Sequence, residues 1–329
     1  MGTQRKQTAH FFLLTFVWTW VCYFAIVGLG LSPYQGTGMI LLIVGGCSPT
    51  FVGLIIAMAT YPRAQRIDYL KRIYQARRIG AKWWLFILLF FVWVAPLAVV
   101  LDMAAGGGLP GMANLKAIAA NPLIWFPLLL LSFMSGPFSE ELGWRGFALE
   151  PMLRTIGFTK GCAALGLIWG AWHLPLYFMP ETWHGKTGLG FSGFGMFLLF
   201  SVGLSFIMGW VYLNTGRSIL SAMLLHLASN FPAQLFEPVS WRVDVLREAI
   251  VLVIGLIIAF QVIRTGWTRP NTGTLIDKLA ETRQNFQYLV DMKNPSRGLP
   301  VPRDGFRFTS FGVPTFPAAR SGAVCRPHP

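Results

Sequence analysis

Two adjacent glutamates, Glu140 and Glu141, stand at the end of a long uncharged stretch of the chain. The stretch, residues 122–138, contains no ionisable side chain and has the composition of a membrane helix. An ionised carboxylate is costly in hydrocarbon unless it has a partner, so ionisable residues inside a membrane are candidates for function. Arg145 follows Glu141 by four residues, which places both on one helix face. Glu140 has no such local counter-charge.

Two histidines in later apolar stretches complete a set of side chains able to activate water. His173 follows Trp169 by four residues, and Asn230 follows His226 by four, so each pair shares a helix face. A desolvated glutamate beside His173 can take a proton from water as a general base. His226 and Asn230 can donate hydrogen bonds to the oxyanion that forms when this water attacks a carbonyl. No serine or cysteine stands in a recognisable nucleophile context, so an acyl-enzyme is not expected.

A zinc site is the alternative use of these residues. Glu140, His173 and His226 would leave an open fourth position, which is a familiar catalytic zinc arrangement. The sequence contains no His-Glu-x-x-His pattern. Asn230 is a poor zinc ligand, and its place on the face of His226 favours a pair of hydrogen-bond donors. We therefore expect that no cofactor is required and keep zinc as the alternative.

The helices that carry these residues must hold them at one depth in the membrane. If the helix of Glu140 runs to Arg154 and ends at Gly157, a residue that commonly terminates helices, Glu140 lies about 21 Å from that end at 1.5 Å per residue. The same arithmetic places His173 at about 20 Å, and His226 and Asn230 at about 14 and 20 Å, from the same side. A common depth favours a site within the membrane. The alternative is that both glutamates lie among headgroups, with Arg145 as a surface partner.

The composition supports a polytopic membrane protein. Of 329 residues, 54% are apolar and 12% are charged, whereas soluble domains have about 25% charged residues. The four cysteines show no paired spacing, which excludes a disulfide framework and a zinc ribbon. The net charge of +14 lies in loops and in the C-terminal tail, without a separate basic stripe, so nucleic acid is not an expected partner.

The hydrophobic pattern predicts an all-α fold with about eight transmembrane helices and both termini in the cytoplasm. This orientation leaves only Lys116, Lys186, Arg242 and Arg247 of the 27 basic residues outside. The basic stretch 61–82 predicts a short helix on anionic headgroups. Residues 1–264 form the predicted bundle, and residues 265–329 are a basic, largely disordered cytoplasmic tail. The predicted spans are 11–31, 39–60, 83–103, 122 onward, 161–179, 193–213, 218–236 and 249–263, the last being the shortest.

Three motifs in order along the chain resemble those of a known family. They are Glu140-Glu141-x-x-x-Arg145, Trp169-x-x-x-His173 and His226-x-x-x-Asn230. This order is similar to that of the CAAX protease and bacteriocin-processing (CPBP or Abi) intramembrane proteases, in particular the type II CAAX prenyl endopeptidases. The resemblance covers about residues 122–236.

The resemblance assigns a role to each residue of the set. It implies that Glu140 and His173 activate water and that His226 and Asn230 form the oxyanion site. We expect Glu141 and Arg145 to support the helix end and keep Glu140 aimed. Trp169 departs from the family, in which phenylalanine is usual, and we expect this to change packing rather than mechanism.

The sequence therefore predicts an intramembrane endopeptidase, in the lipid bilayer of a bacterial inner (plasma) membrane. Its expected substrate is a membrane-bound peptide or lipidated protein, of the prenylated or bacteriocin type. A zinc-dependent metalloprotease with the same residues is one alternative. A non-enzymatic immunity protein and a proton-coupled transporter are the others, although the two halves show no repeat of the kind found in transporters. The sequence does not indicate an oligomeric state.

Overall fold

A computed structural model of the chain describes residues 2–231 and 241–265, and the elements in these ranges are all helical. The predicted all-α membrane fold is confirmed. The helices are α1 (Gly2–Gly28), α2 (Gly36–Gly46), α3 (Ser48–Thr60), α4 (Arg63–Tyr74), α5 (Ala81–Ala104), α6 (Ala113–Ala120), α7 (Trp125–Phe133), α8 (Ser139–Gly143), α9 (Leu149–Trp172), α10 (Trp183–Thr187), α11 (Met196–Asn214), α12 (Ile219–Asn230) and α13 (Trp241–Arg264).

Among the described residues, five helical stretches are long and apolar enough to cross a membrane, or six if α2 and α3 form one bent span. One of the five, Pro122–Phe178, contains two of the predicted spans. The predicted span 218–236 begins as the shorter α12 and continues into residues outside the described ranges. The count of eight and the cytoplasmic termini therefore stay predictions. The predicted tail lies outside the described residues, apart from Thr265.

The last helix differs from its prediction. It begins at Trp241 rather than at residue 249 and has 24 residues, so it is not a short span. Of the charged residues at its start, Arg242, Asp244 and Arg247 have partners within the fold. Arg242 lies 2.9 Å from Asp102 on α5, Arg247 lies 3.2 Å from Asp244, and Glu248 is buried. Paired charges do not end a helix.

The second predicted span is bent at Cys47, where the axes of α2 and α3 differ by 41°. Pro49 has no N–H group to donate to the carbonyl of Gly45, four residues earlier. The hydroxyl of Thr19 on α1 donates to this carbonyl instead, at 2.7 Å. Trp172 on α9 donates its indole N–H to the same hydroxyl at 2.9 Å. The bend is thus held by α1, which is in turn tied to the helix that ends beside His173.

The glutamates lie on α8, a short α-helical segment between two π-helical turns, Met134–Phe138 and Trp144–Ala148. Pro137 accounts for the first turn, because it has no N–H group for the carbonyl four residues earlier. Each π turn adds one residue, which rotates the following side chains by about 100° relative to a straight α-helix. Gly157, with φ of 79°, interrupts α9 where the sequence predicts a helix end.

Close packing fixes the position of α8 against α3. A side chain on Gly143 would overlap the carbonyl of Pro49, so only glycine permits this approach. Trp144, Phe147 and Trp172 are buried next to it. On the other side, α11 packs against both α9 and α13. The glutamates therefore sit on a segment that is enclosed by its neighbours.

A network of ion pairs joins α4, α9 and the turn before α12, and we call this region the basic end. Asp68 lies 2.8 Å from Arg78 and 2.9 Å from Arg217. Glu150 lies 2.9 Å from Arg217 and 2.7 Å from Arg154. The helix predicted to lie on headgroups is thus also part of the bundle, since α4 buries Tyr69 and Arg72.

Candidate active site

The carboxylate of Glu140 is buried and hydrogen-bonded to an indole. Nε1 of Trp169 donates to Oε2 of Glu140 at 2.6 Å, and both residues are about 95% or more buried. The indole has no proton acceptor, so the direction of this bond is fixed. The bond occupies one carboxylate oxygen and leaves Oε1 to contact another group. Trp169 therefore fills space and also donates a hydrogen bond to Glu140, and the expectation that it leaves the mechanism unchanged stays a prediction.

His173 stands at the end of α9, and its backbone surroundings define which ring nitrogen carries a proton. Nδ1 lies 2.8 Å from the backbone carbonyl of Trp169, which can only accept a hydrogen bond. Nδ1 must therefore be the donor. In the neutral ring, Nε2 then carries the lone pair and is free to accept a proton.

Glu141 contacts the side chains of Arg145 and His226. Its Oε1 accepts a hydrogen bond from Nη1 of Arg145 at 2.9 Å and lies 2.8 Å from Nδ1 of His226. Glu141 and Arg145 are fully buried. The predicted Glu141–Arg145 pair is present, and its link to His226 was not anticipated. Because an ionised carboxylate only accepts, Nδ1 of His226 is the donor in this contact.

Two nitrogen atoms converge next to Gly136 in the first π turn. A Cβ atom built on Gly136 would lie 3.3 Å from Nε2 of His226 and 3.3 Å from Nδ2 of Asn230. Oδ1 of Asn230 accepts from the hydroxyl of Ser229 at 3.0 Å, which turns the amide nitrogen toward this point. The absence of a side chain at Gly136 leaves room for a group that both nitrogens can contact. His226 is buried, whereas Asn230 is exposed.

The structure brings Glu140, Arg145, His173 and His226 together around the indole of Trp169. The ring of Trp169 lies 5.8 Å from the ring of His173 and 5.4 Å from that of His226, between centroids. The guanidinium of Arg145 lies 4.4 Å from its ring centroid, within the range of a cation–π contact. Three separated helical segments thus meet at Trp169, as their common depth requires.

His184 is a neighbour of the site that sequence reasoning passed over, because it lies in a loop. Its ring stacks on that of His173, with centroids 5.5 Å apart and planes at 25°. Burial lowers the pKa of His184 well below its usual range, and nearby His173 adds to this effect. The ring is therefore neutral near pH 7. An aromatic run around it (Trp183 before it and Tyr177 upstream) was the available signal for a packed rather than solvated loop.

The proposed zinc ligands can be tested against this geometry. Within residues 2–231 and 241–265, no three His, Cys, Asp or Glu side chains come together in a set that could hold a metal ion. Glu140 contacts the indole N–H of Trp169, and the rings of His173 and His226 lie at 73° and 81° to the indole plane. The described residues therefore contain no grouped set of zinc ligands, and the metal-free reaction stays a prediction.

Comparison with known proteins agrees with the resemblance. Residues 122–232, which include all four predicted catalytic residues, match the family model described as type II CAAX prenyl endopeptidase Rce1-like. The chain is 25% identical over 237 residues to CAAX prenyl protease 2 of Methanococcus maripaludis, in an alignment that covers 71% of this chain and 87% of that relative. The recognition made from the motifs is confirmed. The chain is an integral membrane protease that is similar to the type II CAAX prenyl endopeptidases.

Proposed function

We propose that this protease hydrolyses a peptide bond near the C-terminus of a prenylated, membrane-bound substrate, by means of a water molecule activated by Glu140 and His173. The matched family and the relative are both named for prenylated CAAX substrates, which supports this substrate class. The observation that carries the mechanism is the pair of nitrogens, from His226 and Asn230, that converge at Gly136.

The first step is attack by water. Glu140 takes one proton from the water through Oε1, the oxygen that Trp169 leaves free, and Nε2 of His173 accepts a hydrogen bond from the same water. The hydroxide adds to the scissile carbonyl carbon, and the carbonyl oxygen becomes an oxyanion. When this intermediate collapses, the C–N bond breaks and the proton held by Glu140 passes to the leaving amine.

The second element is the oxyanion site. Asn230 donates from Nδ2, and His226 donates from Nε2, which requires that the ring carries both protons. Glu141 stabilises this charged ring, because its carboxylate accepts from Nδ1. Arg145 holds the Glu141 carboxylate in place by its ion pair. In this mechanism, Glu141 and Arg145 support His226 and also stabilise the helix that carries Glu140.

The comparisons favour an enzyme over the immunity protein and the transporter, and no feature of the described residues favours either of those. The bacterial inner membrane stays a prediction. Bacteriocin-type peptides are the competing substrate class. They differ from prenylated substrates in having no isoprenoid chain, so a matched pair of peptides separates the two.

The test uses purified full-length protein in lipid vesicles, with a farnesylated peptide that ends in a CAAX sequence and the same peptide without the farnesyl group. We expect mass spectrometry to show release of the last three residues from the farnesylated peptide alone. Equal cleavage of both peptides would contradict the proposed substrate class. No cleavage of either would contradict the proposal as a whole.

A further inference from the structure

The loop that carries His184 has a defined structure and covers one side of His173. We call residues 179–190 the cap segment. It follows a 3₁₀ turn, Leu174–Phe178, and contains the short helix α10. Thr182 organises it: the threonine hydroxyl donates to the carbonyl of Leu176 at 2.8 Å and accepts from the backbone N–H of Gly185 at 2.9 Å. A capping threonine of this kind stabilises a short helix.

Two further contacts hold the cap segment to other parts of the bundle. Ser32, in the turn after α1, donates its hydroxyl to Glu181 at 2.7 Å. Trp183 donates its indole N–H to Asp244 on α13 at 3.3 Å. The segment is therefore anchored to α13 and to the turn after α1 through two residues that precede His184.

His184 is part of a cluster of aromatic side chains that packs around His173. Phe197 packs edge-on against both imidazoles, with centroids 5.1 Å from His173 and 5.0 Å from His184. Trp172 lies 4.7 Å from the ring of His173 at an interplanar angle of 88°. The Nδ1 bond to Trp169 restrains one edge of the His173 ring. Packing by neighbours must restrain its tilt, and among the described aromatic neighbours the ring of His184 is nearest to parallel, at 25°.

We propose that His184 is a positioning residue for the reaction: by stacking on His173, it holds the imidazole plane so that Nε2 stays aimed at the attacking water. This inference rests on the proposed function. A flat ring at position 184 is what the stacking needs, whereas a proton-carrying role would need the imidazole itself. The two roles therefore predict different activities when His184 is replaced by another flat ring.

The experiment compares His184→Phe, His184→Leu and His184→Ala with the wild type, using the farnesylated peptide in vesicles. Phenylalanine keeps a flat ring, leucine fills space without one, and alanine leaves a gap. We expect kcat for His184→Phe within about threefold of wild type, and at least a tenfold loss for leucine and alanine, with KM within about twofold in each case. A misplaced catalytic group of this kind lowers kcat by up to about a hundredfold.

Two results would overturn the inference. One is a kcat for His184→Phe as low as that for His184→Ala, which would assign a role to the imidazole nitrogens. The other is a wild-type kcat for His184→Leu. If the alanine variant fails to fold, as judged by thermal unfolding, the phenylalanine and leucine variants decide the question alone. Cleavage by the wild type but not by Glu140→Gln confirms the assay, so a negative result for position 184 stays distinct from failure of the proposed function. Absence of cleavage by the wild type would contradict both the proposed function and the positioning role of His184.

Discussion

Nε1 of Trp169 lies 2.6 Å from Oε2 of Glu140, so the residue that replaces the family's usual phenylalanine donates a hydrogen bond to the proposed base. The guanidinium of Arg145 lies over the same indole, and the rings of His173 and His226 pack against it at 73° and 81° to its plane. Its backbone carbonyl accepts from His173. Trp169 thus contacts the proposed base Glu140, His173, and Arg145 of the Glu141–Arg145 ion pair.

The substitution Trp169→Phe removes the indole N–H and keeps an aromatic ring. A hydrogen bond to a charged group contributes about 1.5–3 kcal/mol, so we expect kcat to fall about tenfold or more while KM changes little. Steady-state kinetics on the farnesylated peptide measure this. Trp169→Leu is the companion variant, in which the cation–π contact is also lost and thermal stability should fall further. An unchanged kcat in the phenylalanine variant would show that the bond does not help to position Glu140.

Arg145→Ala leaves Glu141 buried without its ion-pair partner. Removal of one member of a buried pair lowers the free energy of unfolding by about 3–5 kcal/mol, so we expect a lower folded yield and a lower thermal midpoint. Glu150 and Arg154 form a matched pair with the same spacing, at 2.7 Å, in which the arginine side chain is 43% exposed. Arg154→Ala should therefore cost about 1 kcal/mol or less. Equal effects of the two alanine variants would argue against a buried role for Arg145.

Much of the site follows from the spacing of residues along single helices. The Glu141–Arg145 pair and the shared faces of Trp169 with His173 and of His226 with Asn230 depend only on helical geometry. The long helix through Glu140 also follows, because Gly157 can adopt the positive φ that ends it. These features are local, and local features can be predicted from sequence.

The remaining features depend on contacts between distant segments. The Glu141–His226 contact joins residues 85 positions apart, and neither periodicity nor composition indicates it. The π turns beside α8 require neighbours that stabilise a widened helix, such as Thr50, which donates to the carbonyl of Phe138 at 2.8 Å. His184 lies in a loop, where spacing carries no information about its neighbours. The start of α13 was misplaced because its charges are paired across the bundle.

Arg217 links Asp68 and Glu150 at the basic end and has an unusual backbone, with φ of 61°. Arg217→Ala removes hydrogen bonds to two carboxylates, each bond to a charged group contributing about 1.5–3 kcal/mol. Alanine also keeps the unfavourable left-handed backbone, which glycine adopts freely. We therefore expect Arg217→Gly to be about 1 kcal/mol more stable than Arg217→Ala. Thermal unfolding of both variants measures this, and a less stable glycine variant would contradict the assigned backbone strain.

The zinc alternative predicts a different set of observations from the mechanism proposed here. With no metal in the reaction, a strong chelator leaves the wild-type rate unchanged, and His226→Ala lowers the rate by about 10²–10³ as one oxyanion donor is lost. Elemental analysis of the purified protein and of His173→Ala provides the direct check. One zinc ion per chain in the wild type, lost from His173→Ala together with activity, would replace our mechanism with a metal-dependent one.

The central claim is that Glu140 removes a proton from the attacking water. The substitution Glu140→Gln keeps the size of the side chain and an oxygen that accepts from Trp169, but it removes the base. Glu248→Gln makes the same change at another buried glutamate, on α13. The decisive measurement is kcat for the two variants on the same farnesylated peptide in vesicles. We predict a loss of at least about 10² for Glu140→Gln, within the range that general base catalysis contributes, and a rate within about threefold of wild type for Glu248→Gln. A folded Glu140→Gln variant that turns over at the wild-type rate would contradict the account.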